Sequence, residues 1–599
     1  MTSPKVPSPE VDVIALREKY RRERDKRLKA AGTDQYYFAQ GKYAHFDDDP
    51  YSGPPLRRDA IERDLDVLII GAGLGGIEMA ATLTKGGVDD FRIVDGAGDF
   101  GGTWYWNRYP GIRCDVESYI YLPYLEETGY LPTERYVRGQ EIFEYCQELG
   151  RHFGLYDRAL FQTKITGISW DEDSARWIVT TSQGDEFHSR FVTTQSGIFD
   201  RPQLPGIPGI EDFTGKMFHS ARWDYEYTGG DSNGGMSGLR DKRVGVIGTG
   251  ATGLQVIPAV AKDALELVVF QRTPTAVGVR DNEPTDVEWF KSLPPGWQKA
   301  RAESFNCLGN AEDVPCDIDD GWARFFRRLI DAEKGIPEEQ RTPQAVDAAK
   351  ERADLEYNEL VRARVDQYVR DPGKASLLKA YYRTMCKRPG FSDEYLPAMD
   401  RDNVTLVEAS SGVEHFTEKT VIVEGVEYEL DCIIFATGFE LGTTWSHRAG
   451  YDVVGRNFVR ASEKFAQGMK TYQGLFSVGF PNLFFLGLTQ GGTTTNVPHM
   501  LQEQADHVTY IIRRALNEGL TRVEATPEAE AEWQETIAAV NDARRDFQEA
   551  CTPGYFNAEG RVGDTRSEIA SGSYRPSPRF FRMWNEWRVS GDFAGLDVS

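Results

Sequence analysis

An α/β chain with two Rossmann-like dinucleotide-binding folds and a helical insertion is predicted by three features of the sequence. Two apolar runs, Leu65–Ile70 and Arg243–Ile247, each lead directly into a turn of the form G-x-G-x-x-G. Each turn is followed by a helix-length segment and a second apolar run, Phe91–Val94 in one case and Leu267–Phe270 in the other. Between Pro284 and Ala380 the composition becomes helical and charged. Continuous apolar runs of this length mark strands buried on both faces of a parallel sheet.

In chain order, residues 1–60 form a polar extension with one helix expected over Val13–Ala30. Tyr36, Tyr37, Phe38 and Tyr43 would pack this arm on the body, and the arm carries no chemistry of its own. Residues 61–200 hold the first part of one fold, and 201–282 a linker and the first part of the other. The helical insertion spans 283–380. Residues 381–440 return to the second fold through Val404–Val407 and Cys432–Phe435, the latter ending in Ala436-Thr437-Gly438-Phe439. Residues 441–599 complete the first fold, with the run Asn482–Gly487 and a helix over Pro498–Asn517, and also hold a substrate loop.

Composition narrows the function classes. Of 599 residues, 40% are apolar and 27% charged, which excludes wholesale disorder. The 69 basic and 93 acidic side chains leave a net charge of −24, which repels phosphate backbones and anionic lipid. Neither nucleic acid nor a membrane is an expected partner. The most apolar stretch, Leu65–Leu83, is broken by Glu78 and by glycines, so it cannot span a bilayer. The opening MTSPKVPSPEVD lacks the charged-then-apolar pattern of a signal peptide. Seven scattered cysteines without C-x-x-C argue against a disulfide scaffold, a zinc site of known spacing or a dithiol redox centre. No metal is expected, and the chain reads as cytoplasmic.

The two glycine turns carry opposite charges behind them. In both, the glycines permit a tight turn and let a pyrophosphate approach the helix N-terminus, where backbone N–H groups attract anions. Asp95 lies 24 residues after Gly71, where an acid grips ribose hydroxyls. Arg272 lies 24 residues after Gly248, and with Thr273 it favours a 2′-phosphate that a carboxylate would repel. Gly71, Gly73 and Gly76 therefore read as an FAD site. Gly248, Thr249, Gly250, Ala251, Thr252 and Gly253 read as an NADPH site. Together they imply electron transfer from a nicotinamide to a flavin, and the missing C-x-x-C removes a disulfide as the electrons' destination.

Phe213, Gly215, His219, Trp223 and Asp224 match F-x-G-x-x-x-H-x-x-x-W-[PD] at each fixed position. Gly101-Gly102-Thr103-Trp104, with Tyr109-Pro110-Gly111 and Asp115, fits [AG]-G-x-W-x-x-x-x-[FY]-P-G-x-x-x-D. On these motifs the chain, from about Leu65 to the C-terminal portion, resembles the type I Baeyer–Villiger monooxygenases, which are class B flavoprotein monooxygenases. The resemblance implies tightly bound FAD, consumption of NADPH and dioxygen, and conversion of a ketone to an ester or lactone through a C4a-peroxyflavin. Such chemistry needs a fixed cation that keeps the oxidant anionic and stabilises the oxyanion of the adduct. In the family this cation is an Arg following a Lys, the place of Lys387-Arg388 here.

The resemblance thus implies Arg388 and Asp115 as the catalytic pair, with Arg388 also contacting NADPH. It places Lys387 on the 2′-phosphate alongside Arg272 and Thr273. Thr103, Trp104, Asp115 and Tyr121 would line the flavin, although Trp104, Trp106 and Tyr121 also read as core aromatics. Arg113 and Asp115 would approach the nicotinamide, and Gln255 would contact NADPH through its amide. His219 would belong to the linker that couples movement of the NADPH domain to the flavin domain. Gly491–Asn496 precede a helix whose N-terminal dipole would face the flavin's pyrimidine edge.

Two departures bear on the substrate. Gln195-Ser196-Gly197 stands where related sequences often carry A-T-G, and Cys551-Thr552-Pro553-Gly554-Tyr555-Phe556-Asn557 replaces the S-W-Y-x-G-x-N loop of several members. With the N-terminal arm, these resemble the cyclopentadecanone monooxygenase subgroup, which implies macrocyclic, polycyclic or steroid ketones ahead of cyclohexanone. Three rival readings are a flavin monooxygenase of amines or sulfides, a non-catalytic nucleotide-binding sensor, and an NADPH oxidase releasing peroxide. The first needs no Arg388 and is disfavoured by Trp223-Asp224. Asp115, Lys387 and Arg388 together speak against the second. NADPH consumption without an oxygenated product would reveal the third.

Overall fold

Residues 9–195 and 197–599 are described by a computed structural model. Ser196 and the first eight residues, on which part of the signal-peptide reading fell, lie outside the described residues. Two sheets organise the chain. In the first, Glu62–Ile70 pairs in parallel with Phe91–Val94 on one side and Glu186–Thr194 on the other. Along Glu62–Ile70, Leu65, Leu68 and Ile70 enter one hydrophobic cluster while Val67 and Ile69 enter another. The period of two in side-chain direction sends an uninterrupted apolar run to both faces. Ile165–Asp171 and Arg176–Thr181 form an antiparallel meander leading into Glu186–Thr194. Leu483–Phe485, from the far end of the chain, adds in parallel beside Val192–Thr194.

The second sheet has five parallel strands in the order Val404–Glu408, Glu266–Gln271, Arg243–Ile247, Cys432–Phe435 and Lys216–His219. Its last member corrects the sequence reading. The stretch carrying His219 is an edge strand of this sheet, with His219 registered on Phe435, and not a free connection between folds.

The insertion is helical: Val287–Lys291, Trp297–Gly309, Gly321–Lys334, Pro343–Tyr368 and Pro372–Leu378. Trp322, Phe325, Phe326 and Ile330 recur on one face of Gly321–Lys334 and are buried. A short parallel pairing of Val277–Gly278 with Gly390–Phe391 pins the two ends of the insertion together.

The arm departs from expectation in two ways. Its helix, Val13–Asp25, stops short of Ala30, because Arg27 turns inward and its Nε donates to the Arg272 carbonyl at 2.7 Å. Tyr36–Phe38 then pairs with Gln203–Pro205. A disulfide joins Cys386 to Cys551, against the sequence reading of the cysteines. The two are 165 residues apart, and no local spacing signals a contact that arises when a helix end docks beside Lys387. Among the described residues, no helix is long and apolar enough to cross a membrane.

Candidate functional site

The two glycine turns are built alike. Gly71 (φ +112°) and Gly248 (φ +109°) adopt backbone conformations that disfavour L side chains. A Cβ on Gly76 would lie 1.9 Å from the Gly71 carbonyl oxygen, and one on Gly253 would lie 2.4 Å from that of Gly248. The third glycine of each motif thus lets its helix pack onto its own turn. Gly73 sits against Gly102, whose Cβ would fall 2.6 Å from the Gly73 Cα, so the G-G-T-W motif braces the first turn. No side chain caps Leu74–Lys85 or Gly253–Asp263, and helix N-termini of this kind attract a pyrophosphate.

Asp95 closes the strand Phe91–Val94, and its carboxylate accepts from the backbone N–H groups of Ala72 and Ala97. Burial pushes this carboxyl up, and the two N–H bonds oppose that shift. Both Gln195 side-chain atoms, beside Gly75, are buried without a hydrogen-bond partner among the described residues. An unpaired amide facing a glycine turn fits a dinucleotide there.

A cavity of about 890 Å³ opens where the strands of the second sheet end. Its lining brings together Gly248, Thr249, Gly250, Ala251, Thr252, Arg272, Thr273, Lys387 and Arg388. Gly253, Gln255 and Arg113 are not among its lining residues. The buried Thr273 hydroxyl has no partner among the described residues, a donor left for a bound anion. Burial pushes the Lys387 amine down to about 8, with Arg272 adding repulsion. Lys387 Nζ donates to the Pro553 carbonyl at 2.8 Å.

Arg388 and Asp115 form a bidentate pair, with Nε to Oδ2 at 3.0 Å and Nη2 to Oδ1 at 2.7 Å. Burial opposes the Arg388 charge, and Asp115 more than restores it, holding the guanidinium above its ordinary value. Trp322, from the insertion, completes the arrangement. Its ring lies 5.2 Å from the guanidinium carbon, and its Nε1 donates to the Asp115 carbonyl at 3.0 Å. The result is a permanent cation held in one orientation by a carboxylate and an aromatic face.

The remaining residues divide. Trp104 is nearly buried, and its Nε1 donates to the Tyr121 hydroxyl at 3.1 Å on the helix Thr103–Trp106. Gln255 Oε1 accepts from the Arg113 backbone N–H at 2.6 Å, while its Nε2 donates to the Ala251 carbonyl and the Tyr109 hydroxyl. The Arg113 guanidinium is engaged by Glu134 and the Tyr136 carbonyl. The fingerprint residues hold the edge strand in place. His219 is fully buried, and its Nδ1 accepts from the Ala221 N–H. Burial drives its imidazole down to about 3, so the ring stays neutral near pH 7. Gly215 leaves room for the Phe213 ring, the Trp223 indole donates to Thr228, and Asp224 accepts from the Tyr227 N–H while pairing with Lys216. The helix Val497–Glu518 begins at Asn496, whose Nδ2 donates to the Ile120 carbonyl.

Sequence reading missed Trp322 beside Arg388 and two residues lining the cavity, Tyr36 from the arm and Glu559 from the C-terminal segment; Tyr555, of the loop read as bearing on the substrate, also lines it. Arg272 Nη1 donates to the Tyr36 hydroxyl at 3.1 Å and lies 3.0 Å from Glu559 Oε2. The aromatic content of the arm was the one signal available for Tyr36.

A family model described as pyridine nucleotide-disulphide oxidoreductase matches residues 68–231. Neopentalenolactone D synthase of Streptomyces avermitilis is 48% identical over 98% of this chain and 99% of its own length. Baeyer-Villiger monooxygenase 4 of a Dietzia species is 45% identical, covering 97% of this chain and 95% of that protein. The solved polycyclic ketone monooxygenase of Thermothelomyces thermophila superposes with a TM-score of 0.89 at 35% identity, over 98% of this chain and 99% of that one. With identity at this level along nearly its whole length, the chain belongs to the FAD- and NADPH-dependent Baeyer–Villiger monooxygenases.

Proposed function

We propose that this monooxygenase acts on bulky ketones, polycyclic, macrocyclic or steroid, with Arg388 as the cation at the reacting atoms and Asp115 as its positioning residue. The bidentate Asp115–Arg388 pair carries the reading, because it fixes a positive charge at the edge of the cavity. Gly71, Gly73, Gly76, Asp95, Thr103, Trp104 and Tyr121 would hold FAD. The second turn, Arg272, Thr273 and Lys387 would hold NADPH, with Arg113 and Gln255 in support. When bound, the reduced flavin supplies the electrons that activate dioxygen. Arg388 holds negative charge beside the ketone carbonyl, and Asp115 with Trp322 keeps the guanidinium from swinging away.

In this reading residues 61–200 and 441–599 carry FAD, the latter with the substrate loop, 201–282 (with the linker) and 381–440 carry NADPH, 283–380 form the insertion and 1–60 the extension. The extent of likeness to the fungal polycyclic ketone monooxygenase supports the substrate class. We place the enzyme in the cytoplasm, where NADPH is supplied. Competition between a tricyclic or macrocyclic ketone and cyclohexanone tests the substrate reading. The bulky ketone should win by about tenfold or more in kcat/KM. Equal or reversed preference would overturn it.

A further inference from the structure

Arg544 and Arg575 are arginines without an anion. Among the described residues neither guanidinium has a hydrogen bond or an ion pair, in a chain with 93 acidic side chains against 69 basic ones. Along the helix Pro527–Ala550, Trp533, Ile537, Asn541 and Arg544 recur every three or four residues, the spacing of one helix face. Trp533 and Ile537 on this face are buried, and Asn541 packs against Gly572. The stretch 571–575 runs over the same face, with the Tyr574 ring stacked on Trp533 at 5.3 Å between centroids.

The Arg575 side chain is open to water, yet burial pushes its guanidinium down to about 10, and Arg544 adds repulsion. Burial lowers Arg544 as well, and no carboxylate offsets it. A cation that is both accessible and deeply surrounded lines an inner recess, not the outer face. Both elements lead to the oxygenation site. The Tyr574 N–H donates to the carbonyl of Gly491, which opens the loop read as facing the flavin. The helix ends at Cys551, bonded to Cys386 two residues before Arg388. Arg544 stands seven residues before Cys551, about 10 Å along the helix. Neither arginine lines the cavity of the second glycine turn.

We propose, resting on the bulky-ketone reading, that Arg544 and Arg575 form an anion subsite of the ketone pocket, and that the substrate is a bulky ketone with a carboxylate remote from its carbonyl. A guanidinium fork meets both oxygens of a carboxylate, and no acid of the protein takes that place here. Two cations side by side away from water repel each other, and a bound carboxylate relieves that repulsion as it docks. The pyrophosphates of the two dinucleotides have the glycine turns to receive them, so the anion left for this pair is one on the substrate. With its carboxylate held there, the far end of the ketone is directed toward Arg388, and charge recognition orients the carbonyl.

The test uses the FAD-loaded enzyme and a tricyclic ketone bearing one carboxylate on the ring farthest from its carbonyl, compared with its own methyl ester. Product formation with NADPH gives kcat/KM for each, and calorimetry with the oxidised enzyme gives their binding without turnover. Wild type should favour the acid by about tenfold or more, through KM and Kd. In the double variant Arg544→Gln/Arg575→Gln the acid-to-ester ratio should fall to about one. Equal use of acid and ester by wild type, or an acid preference that survives in the folded double variant, would overturn the proposal. A folded but colourless double variant would also overturn it, by giving the arginines to the flavin. The wild-type comparison stands even if the variant fails to fold. Cyclohexanone in the same assay separates the two ways of failing. If the ester is preferred to cyclohexanone and the acid gains nothing further, the anion subsite alone is refuted. If cyclohexanone is preferred to both, the bulky-ketone reading fails and the subsite falls with it.

Discussion

Replacing Arg388 with alanine separates flavin reduction from oxygen insertion. The substitution removes two charge-assisted bonds to Asp115, at 2.7 and 3.0 Å, and the ring contact with Trp322. With 33% of the Arg388 side chain exposed, screening limits the loss of fold stability to about 2 kcal/mol in all. That leaves a folded, yellow protein. The effect on the reaction is larger, because the cation acts where negative charge develops. Loss of one such group lowers the rate about 10²–10³-fold, equivalent to about 2.7–4 kcal/mol. Stopped-flow absorbance follows flavin reduction by NADPH, and gas chromatography follows ester or lactone in the same preparation. Reduction should persist while product falls by that factor. Ester formation at close to the wild-type rate in a folded Arg388→Ala would refute the role given to this residue.

Three further outcomes follow from the geometry. Lys387, with its amine at about 8, is cationic below that pH and loses its charge as pH rises through it. NADPH affinity should therefore weaken on the alkaline side, NADH affinity should not, and Lys387→Arg should remove the effect; a KM for NADPH constant between about pH 7 and about pH 9 would count against it. Gly76→Ala drives a Cβ to 1.9 Å from the Gly71 oxygen and should yield colourless protein, whereas Gly253→Ala, at 2.4 Å from the Gly248 oxygen, should keep FAD and lose NADPH binding; visible absorbance and nucleotide titration distinguish them. Trp322→Phe keeps a ring beneath Arg388 but loses the indole bond to the Asp115 carbonyl, and should lower stability by about 1 kcal/mol in denaturant titration, against about 3–5 kcal/mol for Trp322→Ala.

What the sequence made legible is what local chemistry encodes. Leu65–Ile70 and Arg243–Ile247 read as buried strands because their side chains enter apolar surroundings on both faces, and each has a parallel neighbour on either side. Gly76 and Gly253 were recognisable because close packing against a turn admits no side chain, a constraint that lies within a few residues. The edge strand Lys216–His219 was misplaced because four residues carry too little periodicity to outweigh their position between two folds. Glu559 on Arg272, Cys551 on Cys386 and Trp322 on Arg388 join residues far apart in the chain. Such contacts exist only once the insertion and the C-terminal segment have docked, and they leave no spacing to read. The arm is the sharpest case. Its composition showed aromatics that would pack, yet nothing in it announced that Tyr36 would reach the same guanidinium as Glu559.

The most direct measurement of the central claim is the mass of the product formed from a polycyclic ketone with NADPH under isotopically heavy dioxygen, with thioanisole present as a competing substrate. Insertion beside a carbonyl predicts an ester or lactone carrying one heavy oxygen atom, and loss of that product in Arg388→Ala. Sulfoxide as the sole oxygenated product, with the ketone recovered unchanged, would contradict it.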